Sequence, residues 1–263
     1  MSKNICLKSF EKRNPDTVRF GVISDVHVQD TMFTLDAALD AFGEIGNVDG
    51  LLMIGDVVFQ DSFEPEPEKY DMVMKLLDEK AHNIPYAFAI GNHDALPIVA
   101  FEDCLKESLE LFERKIHPVK YHTTINGYHC ITEISIHEPD IEWIENAVRE
   151  AVAEDADKPV FLMLHDGFRN LILHEGGSPE WSLRLQKILN NYPQIIAFVG
   201  HIHITSQSPD IVSQDGFTVV QVPCLGEIGY TAGDGLFDDY SIPGSPQAMM
   251  IEIENNVVYI YIN

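Results

Sequence analysis

Short apolar runs rich in β-branched residues alternate along this chain with segments whose apolar residues recur at helical spacing. Residues 18–24, 50–54, 85–90, 160–164 and 195–199 are five such runs, each short enough to be a buried strand. Between them, Phe33, Leu35, Ala38, Leu39 and Phe42 mark one amphipathic helix. A second carries Tyr70, Val73, Met74 and Leu77 and opens at Pro67; a third carries Phe101, Leu105, Leu109 and Phe112. The pattern then changes. Residues 120–125 and 128–136 flank Asn126-Gly127, which predicts a hairpin with a type I′ turn. Pro139 opens a helix with Ile141, Ile144 and Val148 on one face, and Ser178-Pro179-Glu180 reads as another helix start. Residues 217–222, 248–253 and 257–262 are strand-like, and 233–246, rich in Gly, Asp and Pro, reads as a long loop. Strand–helix alternation followed by a run of strands predicts two sheets within one α/β domain spanning residues 1–263.

The balance of charge limits the partners. Lys+Arg 17 against Asp+Glu 42 gives a net charge of -25 over 263 residues, which repels polyanions at long range and makes duplex nucleic acid an unsuitable partner. No apolar run approaches the roughly 20 residues needed to span a bilayer, so no membrane association is expected. Residues 1–10 carry no apolar signal region. The four cysteines, Cys6, Cys104, Cys130 and Cys224, are scattered without a CxxC pair and read as reduced thiols of a cytoplasmic protein. The sequence leaves the oligomeric state open.

The chemically informative residues stand at the end of each buried run. The first run leads into Asp25-Val26-His27, the second into Gly55-Asp56, and the third into Gly91-Asn92-His93-Asp94. The run at 160–164 leads into His165, and the run at 195–199 into Gly200-His201-Ile202-His203. Taken singly, each is weak: Gly-Asp is a common turn, and a lone histidine is more often a satisfied structural residue. Taken together, five groups of metal-ligand residue types stand at strand ends, where open α/β sheets bind ligands. Imidazole, carboxylate and amide oxygen without thiolate form a mixed N/O set suited to Mn, Fe, Zn, Co or Ni. Seven protein ligands are too many for one transition metal, so two ions sharing a carboxylate is the natural arrangement.

These residues, DVH at 25–27, GD at 55–56, GNHD at 91–94, His165 and GHIH at 200–203, resemble the calcineurin-like metallophosphoesterase superfamily in order and approximate spacing. The resemblance implies two mixed β-sheets packed as a sandwich and flanked by helices, a four-layer α-β-β-α fold. It implies that Asp25, His27 and His203 hold a first metal, that Asn92, His165 and His201 hold a second, and that Asp56 bridges both. The cofactors would be two divalent or mixed-valence transition-metal ions, Mn and/or Fe first, with Zn, Co or Ni compatible. A metal-bridging hydroxide would attack phosphorus in line, and His93 would act beside the leaving group as general acid or stabiliser of charge. The substrate would be a small phosphorylated molecule. The size and the GNHD…GHxH pattern resemble the phosphodiesterase branch, with a nucleotide-like substrate; a phosphomonoesterase is the close alternative, and a non-catalytic metal-binding scaffold or a purely structural metal site stands further off.

The chain departs from many relatives in three places. Three positions after Asp56, where they carry an acidic or amide residue that in some orients the histidine equivalent to His93, this chain has Phe59. Asp61 is the nearby substitute. The arginine of protein phosphatases is missing from the same block, and His165 stands in Leu164-His165-Asp166-Gly167-Phe168 without the proline often found there. Outside the motifs, His82, His117, His122, His129 and His137 read as surface or hairpin residues. His174 and Arg169 lie on a segment expected beside the site, where Arg169 could meet a phosphate or form a salt bridge. Trp143 and Trp181 read as core anchors, and the acidic residues of 234–239 as a solvated loop.

Overall fold

The computed structural model describes residues 7–8, 17–28, 32–60, 65–95, 102–136, 138–168, 171, 180–203, 211–226 and 247–262. In chain order the elements are β1 (Leu7–Lys8), β2 (Val18–Ile23), α1 (Phe33–Glu44), β3 (Gly50–Ile54), α2 (Pro67–Ala81), β4 (Tyr86–Ala89) and α3 (Glu102–Lys115). They continue with β5 (Tyr121–Ile125), β6 (Tyr128–Thr132), α4 (Ile141–Glu154), β7 (Val160–Met163), α5 (Glu180–Leu189), β8 (Ile195–Val199), β9 (Val212–Asp215), β10 (Phe217–Gln221), β11 (Met249–Glu254) and β12 (Val257–Ile262). The strands form two six-stranded sheets, ordered β1-β12-β11-β2-β3-β4 and β5-β6-β7-β8-β10-β9. Each mixes parallel and antiparallel pairs.

Three apolar clusters show why the layers stack as they do. Side chains alternate across a strand, and here both faces are apolar. Phe20, Val22, Leu52 and Ile54 of the first sheet meet Phe161, Met163, Ile196 and Phe198 of the second in a core between the sheets. The intervening residues Ile23, Leu51 and Met53 face the other way, onto Leu35, Leu39 and Phe42 of α1 and Tyr70, Val73 and Leu77 of α2. On the far side, Leu162, Ala197 and Val219 pack with Ile144 and Val148 of α4 and Trp181 and Leu185 of α5. Helix, sheet, sheet, helix is therefore the order of layers. Each fully buried Val, Leu, Ile or Phe contributes about 1.5–3 kcal/mol.

Most of the sequence-based elements are present, with local differences. Asn126 and Gly127 both have positive φ (49° and 78°), as a type I′ turn requires, and Ile125 pairs with Tyr128 across them. Pro67 opens α2. The helix expected from Pro139 begins at Ile141 instead, because Asp140 is the cap: its carboxylate accepts the Trp143 N–H at 3.1 Å. Phe33, expected on the buried face of α1, is the first residue of the helix and is 78 % exposed. Trp181 is buried, whereas Trp143 is only partly covered. Strands β1 and β9 were not signalled by the sequence; β9 is polar and lies at a sheet edge. The helix start at Ser178-Pro179, Phe101, Cys6, the Cys104 side chain and the loop 233–246 lie outside the described residues. Cys130 and Cys224 are buried free thiols. Among the described residues no helix is long and apolar enough to cross a membrane.

One charge pair is buried in the first sheet. Arg19 of β2 stands opposite Glu252 of β11 and donates to its carboxylate, and Tyr261 Oη donates to the same group at 3.3 Å. Removing one partner leaves the other charged and dry. Glu252→Ala is therefore expected to destabilise the fold by about 3–5 kcal/mol, while the pair Arg19→Met with Glu252→Leu recovers most of the loss; urea denaturation of the two variants beside the wild type measures it.

Candidate metal centre

Strands β2, β3 and β4 run parallel, and so do β7 and β8, which brings five strand ends to one edge of the sandwich. The two sheets are joined there. Ser24 forms a bridge with Cys224, Leu225 N–H donates to Ser24 O at 3.0 Å, and Gly226 N–H donates to Asp25 O at 2.7 Å. The side-chain amide of Gln221, at the end of β10, donates to Gly200 O at 2.8 Å.

Five of the residues singled out by the motifs turn the chain through the left-handed region: Asp25 (φ 52°), His27 (52°), Asp56 (51°), His201 (73°) and His203 (49°). Every other non-glycine residue with positive φ among those described is an asparagine, the residue type that tolerates this conformation best. Aspartate and histidine are held there at a cost of about 1–3 kcal/mol each. The compensation is visible in the backbone. Asp25 N–H donates to Gly55 O at 3.1 Å, His27 N–H to Asp56 O at 2.9 Å, and His201 N–H to the Asp25 carboxylate at 3.1 Å.

The side chains converge. His27 Nε2 is 3.3 Å from Asp56 Oδ2, and His203 Nε2 is 3.3 Å from Asp25 Oδ1. His165 Nε2 is 3.1 Å from Asp56 Oδ2 and 3.2 Å from Asn92 Oδ1, and His201 Nδ1 is 2.9 Å from that same amide oxygen. Asp25, His27, Asp56 and His203 offer one group of donor atoms and Asp56, His165 and His201 a second, each within 4.8 Å. Asp56 belongs to both. His165 Nδ1 lies 2.7 Å from Ile54 O, so its proton sits there and Nε2 is left to face the centre.

The electrostatics fit a cation. Asp25, Asp56 and His165 are fully buried. Burial opposes charge on both aspartates, but His203 and His165 hold Asp25 below its usual pKa, and His165 and His27 hold Asp56 well below its own. Burial likewise opposes a charged His165, yet Asp56 and Asp25 raise it to about 10. Burial and the neighbouring His165 charge lower His201 to about 4, which keeps it a neutral donor. Two dry carboxylates demand positive charge, and a protonated histidine meets that demand where divalent ions would meet it better.

Two supports were not singled out by the sequence. Asp94, fully buried, accepts Val57 N–H (3.1 Å) and Val58 N–H (3.0 Å) on one oxygen and Gly91 N–H (2.9 Å) on the other. It ties the loop of Asp56 to the loop of Asn92; an acidic residue closing a motif in a tight turn is the signal that could have marked it. Asp166 lies 3.8 Å from the outer nitrogen of His201, and its own N–H donates to Ser135 Oγ at 2.7 Å. His93 sits beside the centre, its N–H donating to Asp56 Oδ1 at 2.7 Å and its ring 4.9 Å from that of His27. His82, His117, His122 and His129 engage local partners away from the centre. Asp61, His137, Arg169, His174 and 234–239 lie outside the described residues.

The family model for calcineurin-like phosphoesterases matches residues 18–205. The chain belongs to that family. No curated protein matches it by sequence. Among solved structures, a dimetal phosphatase from Danio rerio is similar at 12% identity and a TM-score of 0.60, covering 92% of this chain and 94% of that one. Vacuolar Protein Sorting 29 from Cryptosporidium parvum (10% identity, 94% and 97% covered, TM-score 0.42) and nuclease MPE from Pseudomonas putida (15%, 91% and 85%, TM-score 0.37) superpose too loosely to carry any argument. At such identities the Danio rerio structure speaks for the phosphoesterase fold alone.

Close packing makes two glycines of this phosphoesterase site obligatory. A methyl on Gly200 would lie 2.8 Å from Asp25 Oδ2, and one on Gly91 would overlap both Asp56 Oδ1 and the Asp56 backbone nitrogen, which cannot yield. Gly91→Ala is expected to lower metal affinity by about 10–100-fold, read as a fall in bound metal by plasma mass spectrometry with the far-ultraviolet circular dichroism unchanged.

Proposed function

We propose that this chain hydrolyses a phosphate ester at a dinuclear metal centre, and that the ester is a diester in a small nucleotide-like molecule. The observation that carries the reading is Asp56, the one carboxylate common to both groups of donors. Asp25, His27 and His203 hold the first ion and Asn92, His165 and His201 the second. Mn and Fe suit the mixed donors best, and Zn, Co or Ni are compatible. Two such ions supply hydroxide near neutral pH and offset charge on the phosphoryl oxygens.

The chain's own residues do the rest. Asp56, pinned by the His93 N–H, would serve as a ligand to both ions. Ile54 O fixes which nitrogen of His165 faces inward, and His201 turns Nδ1 towards Asn92 Oδ1 at 2.9 Å. His93 stands next to Asp56 with its ring half-buried, in reach of a leaving oxygen as general acid. The net charge of -25 favours a small substrate over a duplex. A phosphomonoester is the second reading, favoured by the description of the Danio rerio structure as a dimetal phosphatase.

Hydrolysis of a generic aryl phosphodiester and the matching phosphomonoester in the presence of Mn tests the proposal. The diester is expected to be cleaved faster, and chelator or Asp56→Ala is expected to lower the rate at least about 1000-fold. A preference for the monoester would move the reading to a phosphatase. Activity that survives both chelator and Asp56→Ala would remove the metal mechanism.

A further inference from the structure

His93 is held differently from the other histidines of the centre. His165 is tied to a carbonyl through its outer nitrogen, and His201 faces Asp166. The His93 backbone donates to Asp56 Oδ1, but among the described residues neither imidazole nitrogen has a hydrogen-bond partner. Two rings touch the imidazole instead. Phe59 stacks on it, with centroids 4.5 Å apart and planes 22° from parallel, and His27 meets it at 4.9 Å and 59°.

Phe59 is itself fixed. Its N–H donates to Val28 O at 3.0 Å, and its carbonyl accepts from the Lys69 ammonium. The next residue closes the arrangement: Gln60 N–H donates to His93 O at 3.2 Å and the Gln60 side-chain amide donates to Asp94 O. The backbone beneath the phenyl ring and the backbone beneath the imidazole are thus bound to each other, and the two rings meet in a fixed register. A carboxylate would hold one imidazole nitrogen by a directional hydrogen bond and fix the tautomer. A phenyl face fixes the plane of the ring and engages neither nitrogen.

We propose that Phe59 is a positioning residue that holds the plane of the His93 imidazole by stacking on its face. What His93 acts on rests on the proposed hydrolysis; how His93 is held does not. If Phe59 were only a cover for the rim, its loss would change stability and leave kinetics the same whether or not His93 is present.

Two measurements on the Zn-loaded protein separate these outcomes. In the first, the ring-proton signals of His93 are followed by NMR. Phe59→Leu is expected to remove the ring-current shift and Phe59→Tyr to keep it, with Phe59→Met available should the leucine variant fold poorly. Unmoved His93 signals in Phe59→Leu overturn the proposal. In the second, Phe59→Leu is expected to lower kcat on the aryl phosphodiester roughly tenfold with KM within about twofold. Phe59→Tyr is expected to retain most of kcat, and Phe59→Leu to add nothing in a His93→Ala background. An equal loss with and without His93, or a fall in bound metal in Phe59→Leu, overturns it. If the Mn-loaded wild type cleaves no ester, the proposed function fails, and the NMR result on the Zn-loaded protein still decides whether Phe59 holds His93.

Discussion

Asp56 carries its carboxylate with no exposed surface, and a dry carboxylate is tolerated only where donors or cations face it from several sides. Here they come from three loops: the His93 N–H at 2.7 Å, His165 at 3.1 Å and His27 at 3.3 Å. Those partners lie far apart in sequence, so the charge at position 56 dictates where three strand ends must meet. A second buried carboxylate, Asp94, accepts from backbone N–H groups of the loop that carries Asp56 and of the loop that carries His93. Burial and the nearby Asp56 raise its pKa to about 7. One acid organises the side chains and the other the backbone that carries them.

The local strain arises from this requirement. A strand that simply ran on would carry its side chains past the edge of the sheet. Left-handed residues two or four positions past a strand end turn the chain at the sheet edge, and these residues themselves carry donor side chains. Asp25, His27, Asp56, His201 and His203 all do this; aspartate and histidine, after glycine and asparagine, enter the conformation more often than other types, though still at a cost. Residues kept in a costly conformation next to buried charge are the mark of a site that the surrounding fold over-determines.

How far the sequence could be read depended on how local the cause was. The buried strands were legible because both faces are apolar, as with Leu51 and Met53 on one side of β3 and Leu52 and Ile54 on the other. The hairpin turn was legible because Asn126-Gly127 needs no tertiary context. The centre was legible because metal-type residues recur after each buried strand. Strand β9 was not, since Val212–Asp215 is polar and becomes a strand only by pairing with β10. Nor was the cap at Asp140, which Pro139 obscured. The supporting roles of Asp94, Asp166 and Gln221 depend on which backbone groups arrive beside them, and the partner of the His93 ring depends on how two loops cross; neither is written in a spacing.

The donors are divided between the two sheets: Asp25, His27, Asp56 and Asn92 come after strands of the first, and His165, His201 and His203 after strands of the second. Ions at this edge would span the sandwich like an object held in callipers, with the sheets as the jaws. The spacing of the jaws is set by the apolar layer between them, where Phe20 of the first sheet meets Phe161 and Tyr128 of the second edge-on at 5.3 Å and 6.0 Å. Aromatic side chains of the interior thereby become the gauge of the donor-bearing edge, and a thinner or thicker interior would be felt as a poorer fit between the two halves of the donor set.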